Sequence, residues 1–169
     1  MSHANLQKLL ESLGDLPAYD EPVDQLSHAL QTAGNAIAAG ADDELVLASA
    51  LHDIGRAPAI GRFFKLPHED AAAEFLKRFM PERVVWLVRA HVDAKRYLVY
   101  AENWDKALSG RSKETLIAQG GAMEAPEAEA FLRHPWARDA IALRRWDDAA
   151  KIPGAPAPSI AEVLSRYTR

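Results

Sequence analysis

The sequence contains no cysteine among its 169 residues. Disulfide bonds, thiolate zinc sites, iron–sulfur clusters and thiol nucleophiles are therefore excluded. A surplus of basic residues is also missing, because 20 Lys and Arg face 24 Asp and Glu, for a net charge of -4. Nucleic-acid binding depends on positive charge, so we expect no nucleic-acid partner.

Long apolar runs are absent as well. The longest stretch without Asp, Glu, Lys or Arg, residues 25–41, carries Gln, Ser, His, Thr and Asn side chains, which do not suit a bilayer core. The N-terminal residues Met1 to Asn5 lack the basic flank and apolar run of a secretory signal. We therefore expect a cytoplasmic protein without a membrane partner.

What the sequence does contain is helical periodicity. Apolar residues recur three and four apart, as in Leu26, Leu30 and Ile37, which predicts an all-α protein. We expect one domain over residues 1–169, in which residues 153–169 form a Pro-rich linker and a short helix. Further helices are expected at residues 68–79, 82–91, 94–103, 112–119, 125–134 and 136–151, and a Gly- and Pro-rich loop at 55–67.

The dipeptide His52-Asp53 follows the run Leu45–Leu51, which is apolar except for Ser49 and is therefore expected to be the central buried helix. A buried aspartate is costly unless it is paired or binds a metal ion. Imidazole nitrogen and carboxylate oxygen together suit first-row metals such as iron or manganese. A solvated helix end is the alternative interpretation.

Further residues can likewise be interpreted either as structural or as part of a site. His28 lies opposite the stripe of Leu26, Leu30 and Ile37, so it either faces solvent or points into a polar interface. His91 and Lys95 continue an apolar stripe, either out to solvent or into a site with a metal ligand and an anion-binding ammonium. His68 begins a helix. The pair Arg144 and Asp147, three apart, has an intrahelical ion pair as its simplest explanation.

The order His28, His52-Asp53 and Asp147 resembles the HD-domain superfamily of metal-dependent helical enzymes, and His68 and His91 match its dinuclear members. Two groups share this six-ligand set. One hydrolyses phosphate esters and anhydrides. The other comprises mixed-valent di-iron oxygenases, which include myo-inositol oxygenase and the phosphonate-cleaving PhnZ/TmpB type.

Longer strings are similar to the phosphonate oxygenases, over residues 19–154. They are residues 25–31 (QLSHALQ), 51–55 (LHDIG), 91–98 (HVDAKRYL), 113–121 (KETLIAQGG) and 144–148 (RRWDD). The resemblance implies a single HD-type helical bundle with a buried dinuclear metal site. It implies a di-iron oxygenase that uses O2 to cleave a small 1-hydroxyphosphonate, similar to 2-amino-1-hydroxyethylphosphonate, into phosphate and a carboxylic acid. The alternative is a dinuclear phosphohydrolase acting on a nucleotide or another phosphate ester.

The resemblance also assigns roles by position. One iron of an Fe2+/Fe3+ pair is expected on His28, His52, Asp53 and Asp147, and the other on Asp53, His68 and His91, with Asp53 bridging. The residues expected to hold the substrate are Lys95, Ser112, Arg144, Gln119 and Glu21, together with Arg56, which replaces a histidine of the family. Tyr19 is expected to cover the open iron position until substrate arrives. The oligomeric state is left open.

Overall fold

The structure, a computed structural model, describes residues 1–17, 22–106, 108 and 110–167. Its α-helices are α1 (His3–Glu11), α2 (Gln25–Ala38), α3 (Asp43–Leu51), α4 (His68–Leu76), α5 (Glu82–Glu102), α6 (Gly110–Ala118), α7 (Ala125–Leu132), α8 (Ala137–Ala149) and α9 (Ile160–Leu164). Within the described ranges, the β structure amounts to one isolated bridge between Pro17 and Asp24. The predicted all-α fold class is confirmed.

Helix α3 lies at the centre of the bundle. Every residue from Leu45 to Leu51 is buried, and the helix packs against α2, α5 and α8. Asp42 caps its N-terminus by accepting a hydrogen bond from the Leu45 amide. The C-terminus of α3 therefore delivers His52 and Asp53 into the protein interior, as the apolar run predicts.

Two predicted boundaries are wrong. The helices expected at 82–91 and 94–103 are a single helix, α5, of 21 residues, because no Gly or Pro interrupts residues 91–94. Asn103 caps this helix, and its φ of 52° is the left-handed conformation common after helices. The expected loop at 55–67 forms two short 3-10 helices, Ile54–Arg56 and Pro58–Lys65.

Gly55 permits a close approach between the turn after α3 and the start of α4. A Cβ atom at this position would overlap the carbonyl group of His68, so no other residue fits without a shift of the backbone. Glycine thus allows the chain after Asp53 to pack directly on the backbone of His68. This backbone contact fixes the distance between the side chains of Asp53 and His68.

The C-terminal segment packs against the rest of the fold, and the expected linker runs along the surface of α2. Gln31 binds the backbone of Ile152 at both N and O, at 3.1 and 2.8 Å, and Pro158 lies against Gly34. Beyond it, α9 and Tyr167 join the core. None of the helices in the described ranges has the length and apolar content needed to cross a membrane.

Candidate metal centre and its pocket

Six side chains from five parts of the fold converge on one point beside α3. They come from α2 (His28), the end of α3 (His52, Asp53), the first residue of α4 (His68), the middle of α5 (His91) and α8 (Asp147). All except His68, which is half-buried, are at most 6% exposed. The structure therefore brings together every residue that the sequence nominates as a metal ligand.

The six form two adjacent groups, in each of which the potential ligand atoms lie within 4.8 Å of one another. In the first group, Asp147 Oδ1 lies 3.1 Å from His28 Nε2 and 3.8 Å from His52 Nε2. In the second group, Asp53 Oδ1 lies 3.3 Å from His68 Nε2 and 3.9 Å from His91 Nε2.

Asp53 joins the two groups. Its Oδ1 atom faces the second group, whereas its Oδ2 atom lies 3.8 Å from His52 Nε2 in the first. A carboxylate with one oxygen toward each group has the arrangement that a bridging ligand requires.

All four imidazole rings are oriented by a partner at Nδ1. His28, His52 and His91 contact the carbonyl oxygens of residues 150, 49 and 88 at 2.7, 2.8 and 2.6 Å, and His68 contacts the Glu69 carboxylate at 2.9 Å. Since these acceptors hold a proton on Nδ1, each Nε2 presents a lone pair to the centre, as metal-binding histidines do.

The charge states of His91 and Asp147 agree with this orientation, whereas, in spite of burial, the hydrogen bond to Asp147 raises the pKa of His28. Burial, together with the neighbouring His52 and His68, lowers the pKa of His91 to about 3. Burial alone would raise the pKa of Asp147, but the adjacent Arg144 guanidinium keeps it well below its ordinary value. Neutral imidazoles and ionised carboxylates are the forms that bind metal ions.

Several of the ligand atoms face the centre without a hydrogen-bond donor opposite them. His52 Nε2 and Asp53 Oδ1 are buried and have no hydrogen-bond partner among the described residues. His68 Nε2 lies 3.2 Å from His91 Nε2, although both rings carry their protons on Nδ1. Such a set of buried acceptors is costly when empty, and a cation satisfies it. Four imidazoles and two carboxylates without sulfur fit first-row metals.

A pocket opens beside the two groups; the empty space in and in front of it, open solvent included, is about 550 Å3. Its lining is polar and includes four basic side chains, Arg56, Lys95, Arg144 and Lys151. The site thus places positive charge next to the candidate metal positions, an environment that attracts a small anion.

Arg144 is the most firmly held of these basic residues. It is 5% exposed, and its Nη1 lies 2.7 Å from Asp147 Oδ2. Its Nε donates to Asp148 Oδ2 at 3.0 Å, and its Nη2 also contacts Asp148. The intrahelical ion pair exists, and the same guanidinium lines the pocket.

Lys95 extends from α5 toward α6. Its Nζ donates to Thr115 Oγ1 at 3.1 Å and to the Ser112 carbonyl at 3.4 Å. Burial and, to a smaller extent, the charge of Arg144 lower the pKa of Lys95 to about 7. Ser112 and Gln119 line the same pocket, and Gln119 Oε1 is buried without a partner among the described residues.

Arg56 contacts the second group directly. Its Nε lies 2.8 Å from Asp53 Oδ2, and its Nη2 lies 3.3 Å from His68 Nε2. Tyr19 and Glu21, the two remaining site residues expected from the sequence, lie outside the described residues.

Sequence reasoning missed several residues of the pocket. Gln25 is 3% exposed, and its Oε1 has no partner in the described part of the chain. Its position three residues before His28 places it on the same helix face, but no site role for it was predicted from the sequence. Lys151 follows Asp147 by four residues and reaches the pocket too. Thr115 is positioned by α6, whose bounds the residue pattern predicts only approximately.

Comparison with known proteins agrees with this geometry. The HD-domain family model matches residues 26–129. The chain is 35% identical, over 150 residues, to a [1-hydroxy-2-(trimethylamino)ethyl]phosphonate dioxygenase (glycine-betaine-forming) of Leisingera caerulea. It is 37% identical, over 152 residues, to a hydroxymethylphosphonate dioxygenase of Gimesia maris. Each alignment covers 85% of this chain and 76% of the relative.

The chain therefore belongs to the HD-domain family. Within that family, its relatives include the two phosphonate dioxygenases, which confirms the predicted resemblance to the phosphonate-cleaving group. An uncharacterized protein of Acanthamoeba polyphaga mimivirus is 31% identical over 154 residues, covering 85% of this chain and 70% of that protein.

Proposed function

We propose that this protein is a di-iron dioxygenase that cleaves the carbon–phosphorus bond of a small 1-hydroxyphosphonate. The observation that carries the proposal is the position of the basic pocket, which opens onto both groups of buried histidine and aspartate ligands. Similarity to two phosphonate dioxygenases supports the reaction class.

In this proposal, His28, His52, Asp53 and Asp147 hold one iron, and Asp53, His68 and His91 hold the other. The orientation of each imidazole by its Nδ1 partner supports the assignment. When bound, the mixed-valent pair supplies the capacity to activate O2 and to accept electrons from the substrate carbon.

The protein's own contribution is to bind and orient the phosphonate. Lys95, Arg144 and Arg56 are three of the four basic side chains that line the pocket, and guanidinium groups donate paired hydrogen bonds to phosphonate oxygens. Ser112 and Gln119 provide neutral polar contacts. Because Lys95 and Arg144 are buried, their electrostatic attraction for the dianion exceeds its value in water.

The overall reaction balances with O2 as the sole oxidant. A 1-hydroxyphosphonate dianion and O2 yield a carboxylate, hydrogen phosphate and one proton. The C1–H and C1–P bonds break, the carbon loses four electrons, and O2 accepts them. One oxygen atom enters the carboxylate and the other enters phosphate.

Two further residues retain roles that rest on the family resemblance. We propose that Tyr19 limits oxidation of the iron pair before substrate binds, and that Glu21 lies near the substituent on the substrate's C2. A Tyr19→Phe variant should then oxidise faster in air without substrate, followed by the spectrum of its iron. An unchanged rate would remove this role.

The proposal is tested by incubating anaerobically iron-loaded protein with hydroxymethylphosphonate and following O2 uptake and phosphate release together. We expect one phosphate per O2 and no phosphate without O2. Methylphosphonate, which lacks the hydroxyl group, is the matched control and should not react. Phosphate release from a phosphate ester in the absence of O2, with none from the hydroxyphosphonate in its presence, would support the phosphohydrolase instead.

A further inference from the structure

Arg56 competes for a ligand atom of the second group. Its Nη2 lies 3.3 Å from His68 Nε2, and its Nε lies 2.8 Å from Asp53 Oδ2. The contact of His68 Nδ1 with Glu69, at 2.9 Å, keeps the proton on Nδ1 and a lone pair on Nε2. The guanidinium therefore donates to the same lone pair that a metal ion on His68 would use.

In the first group, Arg56 contacts a carboxylate oxygen, Asp53 Oδ2, which also faces His52, rather than the lone pair of an imidazole. Arg144 contacts Asp147 at Oδ2, at 2.7 Å, whereas the Oδ1 atom faces the imidazoles of His28 and His52. His52 Nε2 has no hydrogen-bond partner among the residues that the structure describes. The two groups thus differ in how freely their ligand atoms can accept a cation.

From this difference we infer that Arg56 controls metal loading: it competes with the second metal ion for His68, so that the first group fills before the second. The inference rests on the proposed two-metal assignment and does not depend on the reaction. A cation beside the ligand set also repels the incoming ion. Metal binding at His68 requires Arg56 to release Nε2.

The same residue couples metal loading to substrate. The Arg56 side chain lines the pocket and is 22% exposed, so a phosphonate can engage the guanidinium there. Whatever draws Arg56 away from His68 favours the second metal ion. By thermodynamic reciprocity, the second metal ion then strengthens phosphonate binding by the same factor.

The test is a titration of metal-free protein with Mn2+, in which free Mn2+ is measured by its magnetic resonance signal. We expect wild type to bind one ion tightly and a second more weakly. In Arg56→Gln, the second dissociation constant should fall by about tenfold, equivalent to about 1.4 kcal/mol, while the first changes less, because there Arg56 contacts a carboxylate oxygen. Arg62→Gln is the matched control, because Arg62 lies over the Phe63 ring at 5.0 Å in the same segment.

A second titration, in the presence of methylphosphonate, distinguishes competition of Arg56 for His68 from the mere loss of a positive charge. The phosphonate should tighten the second Mn2+ in wild type and have much less effect in Arg56→Gln. A second dissociation constant that is unchanged or higher in Arg56→Gln would overturn the inference. So would an equal phosphonate effect in both proteins.

Arg56→Lys keeps the positive charge but lacks the forked donors, and it should give an intermediate second constant. If Arg56→Gln does not fold, judged by circular dichroism, this variant decides the question, and a constant equal to that of wild type would refute the competition. The Mn2+ titration does not require turnover. The titration can therefore be carried out even if the protein lacks the proposed oxygenase activity. Failure of the proposed function and failure of the metal-loading inference give different results.

Discussion

Replacement of Lys95 by methionine should stabilise the metal-free protein while weakening phosphonate binding. Lys95 is 2% exposed, and its pKa falls from 10.5 to about 7 in the folded protein, chiefly through burial and then through Arg144. Keeping this ammonium charged in the fold therefore costs about 5 kcal/mol. A methionine side chain has a similar length and no charge, so it would avoid this cost.

The gain should be smaller than that full amount. Lys95 Nζ donates hydrogen bonds to Thr115 and to the Ser112 carbonyl, which contribute roughly 1 kcal/mol each. Thr115 Oγ1 also lies 3.2 Å from the Ser112 carbonyl and can donate to it, so that carbonyl keeps a partner. We expect Lys95→Met to raise the free energy of unfolding by about 3 kcal/mol below pH 7.

The stability difference between wild type and Lys95→Met should depend on pH. Below about pH 7, Lys95 is protonated in both the folded and the unfolded state, so the cost is complete. Between about 7 and 10.5 the unfolded chain holds the proton that the folded protein has released, so wild-type stability rises with pH. The advantage of Lys95→Met should therefore shrink as pH rises through this window.

The assay is urea unfolding of metal-free protein followed by circular dichroism, at several pH values from about 6 to about 10. Lys77→Met is the control, because the Lys77 side chain is 56% exposed and pairs with Glu74 on the surface. A Lys95→Met variant that is less stable than wild type near pH 6 would refute the reasoning. An advantage that does not change with pH would refute it too.

Three further substitutions test other parts of the site. Gly55→Ala should destabilise the protein by several kcal/mol and reduce its metal content, because the new Cβ would overlap the α4 backbone. Urea unfolding and elemental analysis measure the two effects. Gly110→Ala is the control and should change neither, since the space around Gly110 is open. Asp148→Asn should reduce kcat/KM for the phosphonate about tenfold through a less firmly held Arg144, and unchanged kinetics would contradict this. Gln25→Leu should raise KM at unchanged iron content, because a buried pocket acceptor is lost; an unaltered KM would exclude a substrate contact.

Candidate metal ligands can be predicted from the sequence where neighbouring residues show that a segment is buried. His52-Asp53 follows seven residues that are all buried, as the apolar run predicts, but the run left open whether the pair itself ends in solvent. His91 and Lys95 continue a stripe of one helix, but periodicity left open whether that stripe ends in solvent. The structure answers this through α6, whose Ser112 and Thr115 receive the Lys95 ammonium.

Helix α2 shows why periodicity was insufficient elsewhere. Its apolar stripe, which includes Leu26, Leu30 and Ile37, is only half-buried, whereas the opposite face carries the enclosed His28 and Gln25. The polar face packs against the segment after α8, where His28 Nδ1 meets the carbonyl of residue 150. The apolar face of an amphipathic helix is usually the buried one, whereas in α2 the polar face is buried because it forms part of the site.

Contacts between distant parts of the chain could not be inferred at all from one sequence. The approach of Arg56 to His68 depends on Gly55 and on the position of α4, and the packing of residues 152–158 on α2 depends on Gln31. Spacing along the chain carries no information about either. The family resemblance supplied the ligand set, and the structure supplied the asymmetry between its two halves.

We propose that six side chains hold a coupled pair of iron ions beside the basic pocket. Electron paramagnetic resonance of partly oxidised, iron-loaded protein examines this pairing. We expect two irons per chain and a half-integer-spin signal from a coupled Fe2+/Fe3+ pair, which changes when hydroxymethylphosphonate is added. An isolated high-spin Fe3+ signal that does not respond to the phosphonate, with one iron or fewer per chain, would contradict it.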